Sequence, residues 1–199
     1  MIEEQLKMRA IKSEAVLDAM RKVPRHLFVP KDLQKFSYDD TPLPIGFRQT
    51  ISQPYIVAFM TEQLEPSPKM KILEIGTGSG YQAAILAHLG CEVCTIEFLE
   101  ELASKAKETF TALNLTNIKA THGNGYSGLP EEAPFDAIII TAAPEEVPGK
   151  LIEQLKTGGK MILPVGKAHS SQLLKLITKT DTGIIERDLL PVRFVPMVE

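Results

Sequence analysis

Between residues 67 and 166 short apolar runs alternate with segments of helical spacing, and this alternation restricts the fold more than any other feature of the chain. The run "KILEI" leads through the loop "GTGSG" into "YQAAILAHLG"; "EVCTIE" leads into "LEELASKAKETFTALN"; "IKATH" leads into the loop "GNGYSG". Then come the buried-looking "FDAIIIT", a helical stretch around Val147 to Leu155, and "GKMILPVG". A strand that returns after each helix has to cross over its sheet. The predicted fold class is therefore α/β, a doubly wound, mostly parallel seven-stranded sheet with helices on both faces. The tail changes character: "SSQLLKLITKT", the turn "DTG", "IIERDLL" and "VRFVPMV" are closely spaced strand-like runs, which predicts antiparallel C-terminal strands closing one edge.

Ahead of this pattern, helical spacing in Ile2, Leu6 and Arg9 and again in Ala15, Val16, Ala19 and Met20 predicts a helical N-terminal extension. It is interrupted at "VPRHLFVP", because proline ends helices. From Phe36 to Ser52 the text "FSYDDTPLPIGFRQTIS" has no sustained period and is rich in turn formers. A long loop beside a compact domain is either functional or plain surface. Pro54 then opens a helix whose apolar face is Ile56, Val57, Phe59, Met60 and Leu64.

No repeat, low-complexity tract or linker divides the 199 residues, so a single domain is expected. The 22 basic and 25 acidic residues give a net charge of −3 without a dense Lys/Arg stripe, which argues against nucleic acid as a partner. No apolar run approaches the ~20 residues of a membrane span. The opening "MIEEQLKMRAIKSEAV" mixes charges along an amphipathic segment, unlike a signal peptide, and a cytoplasmic location is expected. Cys91 and Cys94 happen to be spaced CxxC, but the spacing falls on a β-rich segment where residues three apart face opposite ways. With no second Cys pair, packing is the reading, rather than a redox or zinc site.

The loop "LEIGTGSGYQAA" lies between the first parallel strand and its helix, where open α/β sheets bind ligands. Its glycines are Gly76, Gly78 and Gly80. A dinucleotide fingerprint would need glycine at position 81, where Tyr81 stands, and a nucleotide phosphate loop would need a Lys-Ser/Thr pair where Tyr81-Gln82 stands. Glu97 ends the second strand, 21 positions after Gly76, and can accept hydrogen bonds from ribose hydroxyls. Both NAD and adenosyl compounds carry a ribose, so Glu97 alone leaves both open. Glu74, directly before the loop, would repel a pyrophosphate and suit a ligand bearing an ammonium and a sulfonium.

These residues resemble the cofactor loop of class I S-adenosylmethionine-dependent methyltransferases, whose core is Rossmann-like. With "VPRHLFVP", "LPIGFRQTISQPYIVAFM", "APFDAIIITAAPEEVP", "LKTGGKMILPVG" and "VRFVPM", the chain from about residue 23 onward resembles the protein-L-isoaspartate O-methyltransferases. The resemblance implies S-adenosyl-L-methionine held by Thr50, Ile51, Glu74, Gly76, Thr77, Gly78, Gly80, Glu97, Asn124 and Gly125, giving S-adenosyl-L-homocysteine without a metal. It makes Ser52 the catalytic position, with Gln53, Arg48, Val192, Arg193 and Phe194 on the substrate side. Residues 1–66 become N-terminal helices and an active-site loop, 67–166 the cofactor-binding core, and 167–199 the C-terminal strands of the substrate side. Two positions depart from the family pattern: Asn124 stands where GDG has Asp, and Arg48 where GQGQT has Gly.

The implied partners are isoaspartyl-containing proteins and peptides, with no membrane and no nucleic acid, and the expected state is a monomer. The implied reaction methylates the free α-carboxylate of an L-isoaspartyl residue, and the ester then closes to a succinimide that starts repair. That carboxylate has a pKa near ~3.5 and is ionised at neutral pH, so no general base is needed. The scattered His26, His88, His122 and His169 fit this absence, although His122 adjoins the Gly123 loop. Two alternatives stay open: a carboxyl methyltransferase with a different peptide acceptor, and a cofactor-binding protein without turnover.

Overall fold

The computed structural model describes residues 1–168 and 170–198; the reading of His169 as a surface or packing residue lies outside them. The N-terminal layer begins with two short helical turns, Ile2–Leu6 and Lys7–Arg9, and breaks at Ala10, whose φ is 66°. Helix α1 (Glu14–Lys22) follows, with Ser13 accepting the Val16 N–H at its start and Arg21 and Lys22 in its last turn, where cations suit the helix dipole. It buries Val16, Ala19 and Met20, which the spacing singled out, and also Leu17, whereas Ala15 is exposed.

The segment 36–52, read from sequence as a loop, contains a small hairpin of β1 (Leu43–Gly46) and β2 (Gln49–Ile51). Leu43, Ile45 and Ile51 turn inward while Pro44 and Thr50 face out, but strands of four and three residues are too short to show a period. Helix α2 (Pro54–Leu64) then opens on Pro54, as expected.

The main sheet is formed by β3 (Lys71–Ile75), β4 (Glu92–Glu97), β5 (Ile118–His122), β6 (Phe135–Ile140), β7 (Leu155–Val165), β8 (Gln172–Thr180) and β9 (Gly183–Val192). Their order is β5-β4-β3-β6-β7-β8-β9; the first five are parallel, and β8 and β9 run antiparallel at the edge. Helices α3 (Tyr81–His88), α4 (Glu100–Ala112) and the short α5 (Gly149–Glu153) supply crossovers. The third tail run is not a strand. After Val192 the chain leaves the sheet as a strap, interrupted by Pro196, whose Ala143↔Pro196 bridge runs beside the end of β6.

The period of two sends alternate residues to opposite faces. On one face Ile72, Val93, Ala137, Ile139 and Ile162 pack beneath Met60 of α2, Leu86 of α3 and Phe110 of α4. On the other, Leu73, Ile75, Ile138, Ile140 and Met161 pack against Leu129 and Leu151. Cys91 belongs to the first cluster and Cys94 to the second, and both thiols are raised by burial, as suits packing residues. A third cluster joins the N-terminal layer to the sheet domain, with Leu17, Met20 and Phe28 against Tyr81, Ala84 and Ile85. Fully buried Arg25 donates to the Ser37 carbonyl at 2.7 Å and lies 4.9 Å over the Tyr81 ring, tying the segment before β1 to α3. Among the described residues no helix is long and apolar enough to cross a membrane.

The chain lays down β3, moves outward through β4 to β5, then returns to place β6 on the other side of β3. Strand order reverses at the carboxyl end of β3, where the loops part and leave a crevice.

Candidate active site

Gly76 and Gly78 form the turn out of β3 with φ of 91° and 53°, conformations that a side chain disfavours. A Cβ on Gly76 would also sit 2.7 Å from the Thr141 hydroxyl, which donates to the Gly76 carbonyl at 2.6 Å and braces the turn. Glu97, at the end of β4, pins the same loop: its carboxylate accepts the Gly78 N–H at 2.8 Å and the Leu99 N–H at 3.0 Å. Gly76, Gly78, Glu97, Phe98, Gly125 and Thr141 line a crevice closed above by Thr50 and on one side by Val195 to Val198 of the strap.

Toward α3 the crevice deepens into a pocket lined by Glu74, Thr77, Ser79, Gln82, Ile51 and Ser52. Glu74 is fully buried; Thr95 donates to its Oε2, the Thr95 and Thr77 hydroxyls are 2.6 Å apart, and Oε1 has no hydrogen-bond partner. Burial pushes its pKa up to about 8, the Glu97 charge adds to the rise, and the Thr95 hydrogen bond opposes it. Sequence reasoning took Glu74 as a negative charge; its burial favours the protonated form over the charged one where no cation lies beside it.

Beyond Thr50 and Ser52 a third cavity, of about 430 Å³, lies between the start of α2 and the strap. Ser52, Gln53, Val192, Arg193 and Phe194 line it, with Arg9, Pro42 and Thr141. Thr50 and Thr141 border all three spaces, and Ser52 borders the deep pocket and this one. Among the described residues neither Ser52 nor Thr50 has a side-chain hydrogen bond within the protein, so both hydroxyls are uncommitted where the spaces meet.

Acidic and basic residues divide along the same line. The first two spaces are lined by Glu74 and Glu97 and by no Lys or Arg, whereas the third is lined by Arg9 and Arg193 and by no Asp or Glu.

The family model described as Protein-L-isoaspartate(D-aspartate) O-methyltransferase (PCMT) matches residues 1–199. The chain belongs to this family. It is 51% identical over 197 residues to the protein-L-isoaspartate O-methyltransferase of Gloeobacter violaceus, covering 99% of this chain and 96% of that one. It is 56% identical over 196 residues to the one of Opitutus terrae, covering 98% and 84%. A solved structure of a putative protein-L-isoaspartate O-methyltransferase from Plasmodium falciparum, in complex with S-adenosyl-L-homocysteine, superposes with a TM-score of 0.86 at 30% identity, covering 99% of this chain and 96% of that chain. The chain is accordingly an enzyme of the S-adenosylmethionine-dependent methyltransferases, with the fold expected of them.

Within that family frame, the remaining residues named from sequence fall in different places. Gly80 caps α3 and turns toward α4, where a Cβ would lie 2.5 Å from the Phe110 ring, so it serves packing beside the loop. Gly125 lines the crevice, where a Cβ would run into the Ile75 and Met197 side chains, while exposed Asn124 caps the following turn by accepting the Tyr126 N–H at 2.8 Å. Arg48 is exposed at the hairpin tip with φ of 59° and lines none of the three spaces. His122 is engaged with the Phe98 carbonyl at 3.0 Å, His26 with the Tyr38 hydroxyl at 2.7 Å, and His88 faces Asp18 at 4.0 Å.

Sequence reasoning overlooked Thr141, Phe98, Arg9, Pro42 and the strap beyond Val195. Thr141 was within reach, since it follows the strand that flanks β3 and therefore ends at the switch point. Nothing local marks Arg9.

Proposed function

We propose that this chain transfers a methyl group from S-adenosyl-L-methionine to the free α-carboxylate of L-isoaspartyl residues in damaged proteins and peptides. The observation that carries the reading is the division of charge across Thr50, Ser52 and Thr141. A cationic donor suits the side with two carboxyl groups, and an anionic acceptor suits the side with two guanidiniums.

The residues fit the donor. Glu97 stands at the crevice wall for ribose hydroxyls, Gly76 and Gly78 let the backbone come close, and the partnerless Glu74 Oε1 offers a buried acceptor to an ammonium. When bound, the sulfonium supplies an electrophilic methyl group. Ser52 is the residue placed to orient the acceptor carboxylate, with Thr50 and Gln53 beside it. Phe194, Val192 and Pro191 exclude water from a nucleophile that is weak when solvated. Holding the pair in line contributes on the order of 7–11 kcal/mol in well-oriented systems, and no proton need move. The ester formed has a better leaving group than the acid, so an adjacent peptide nitrogen can expel methanol and close a succinimide without the enzyme.

The same reading takes residues 1–199 as one unit, since the N-terminal cluster packs on α3, and takes it to act in the cytoplasm as a monomer without metal or nucleic acid. Its test is incubation with labelled S-adenosylmethionine and matched isoaspartyl and aspartyl peptides. Label in the isoaspartyl peptide alone supports it. Equal labelling points to a different acceptor, and donor binding without label points to a protein that binds without turnover.

A further inference from the structure

Arg9 lines the acceptor cavity, and the proposed function uses it only as one of two positive charges there. It ends the short helix Lys7–Arg9, just before the left-handed Ala10 turns the chain toward α1. Its Nη1 donates to Asp40 Oδ2 at 2.6 Å, and its guanidinium lies 3.4 Å from the centroid of the Tyr55 ring. Asp40 is already shared. Oδ2 also accepts from Gln53 Nε2 at 2.8 Å, and Oδ1 accepts the Tyr55 N–H at 2.9 Å in the first turn of α2. One carboxylate thus fixes the arginine, the residue after Ser52 and the start of the helix that follows.

The arrangement leaves Arg9 rigid and available. Stacking and the Asp40 bond remove rotamer freedom that a flexible cation would lose on binding. Its side chain is 45% exposed, and among the described residues Nε and Nη2 have no hydrogen-bond partner. Asp40 itself does not line the cavity.

A guanidinium clamped on the reacting carboxylate would favour the charged acceptor over a transition state in which that charge is disappearing. The useful position for a fixed cation is one residue away. We infer that Arg9 is a specificity-determining residue of the acceptor cavity, reading a second carboxylate on the peptide, carried by an acidic side chain next to the isoaspartyl residue. The inference rests on the isoaspartyl reading of the site. A single guanidinium–carboxylate contact in a wet cavity is worth about fivefold in preference.

The test compares kcat/KM for acetylated, amidated isoaspartyl peptides that carry Glu or Gln beside the isoaspartyl residue; a third peptide with Gln and a free C-terminus supplies the alternative carboxylate. The expected wild-type preference for the Glu peptide is about fivefold, falling toward one in 0.5 M salt as charges are screened. In Arg9→Gln the ratio falls to about one; in Arg193→Gln it persists. Arg9→Lys keeps the charge and an intermediate ratio, and thermal melts establish that each variant is folded. Should Arg9→Gln prove unfolded, the salt series and Arg9→Lys decide, a salt-independent ratio of one overturning the inference. A Glu preference unchanged in folded Arg9→Gln, or one lost only in Arg193→Gln, overturns it as well. Preference for the free C-terminus alone overturns the side-chain assignment. Absence of transfer to every peptide would instead strike at the activity itself, whereas transfer without discrimination strikes at Arg9 alone.

Discussion

A fully buried carboxyl group with one oxygen unpartnered and a second acid nearby, Glu74 ties stability to its proton and, on the proposed function, donor binding as well. Its folded pKa, about 8, lies above the ordinary 4.5, so between those values the native state keeps a proton that the unfolded chain has lost. The stabilisation is complete below pH 4.5 and is lost as pH rises through 8. Glu74→Gln removes that dependence, and thermal melts from pH 5 to 9 are predicted to fall less steeply for the variant. A cationic donor has to expel the proton, so wild-type affinity is predicted to rise with pH up to about 8, while Glu74→Gln binds more weakly and without that slope. Calorimetry in buffers of different ionisation enthalpy reads the released proton directly. Ser52 presents the simpler case of a hydroxyl with no partner inside the protein. Losing a hydrogen bond to a charged acceptor costs about 1.5–3 kcal/mol, so Ser52→Ala is predicted to lower kcat by about tenfold to a hundredfold with donor affinity unchanged.

Two elements that frame the cleft, the β1–β2 hairpin and the strap, are the ones the sequence least disclosed. The hairpin turn has positive φ at both central residues, Phe47 at 51° and Arg48 at 59°, a geometry normally signalled by Asn-Gly. Neither residue announces it, and the flanking strands are too short for alternation to show. Since left-handed backbone costs a non-glycine residue about 1–2 kcal/mol and glycine returns part of that in unfolded-chain entropy, Arg48→Gly is predicted to stabilise the fold by about 0.5–1 kcal/mol. Denaturant titration measures it, and acceptor kcat/KM should stay at the wild-type value because Arg48 lies outside the cleft. The strap was expected to be a strand from its apolar residues. Pro196 interrupts the run, and the Ala143 N–H to Val195 carbonyl and Met197 N–H to Ala143 carbonyl bonds, at 2.8 and 2.9 Å, hold it along the crevice instead. Ending the chain at Val192 is predicted to weaken donor binding by at least about tenfold while leaving the far-ultraviolet signature of the sheet intact.

At the scale of the whole molecule, the parallel core was legible because each buried strand is a short apolar run between helices, from "KILEI" to "FDAIIIT". Gly76, Gly78 and Glu97 were legible for a related reason: they lie at the carboxyl ends of the adjacent strands β3 and β4, beside the reversal of strand order. Around the third cavity, Ser52 and Phe194 were named only through the resemblance and Arg9 and Thr141 not at all, since the four come from distant parts of the chain. Their assembly depends on the N-terminal layer packing on α3, which no local pattern encodes. That assembly sets two acids on one side of Ser52 and two arginines on the other, and the proposed chemistry depends on the boundary between them. The most direct test is a crystal structure of the chain with S-adenosyl-L-homocysteine and an isoaspartyl peptide. The predicted complex has ribose hydroxyls on Glu97, the amino group toward Glu74, and the sulfur facing the isoaspartyl carboxylate across Ser52, with the peptide on the Arg9 and Arg193 side. A product molecule away from Glu97, or a peptide carboxylate separated from the sulfur by closed protein, would contradict it.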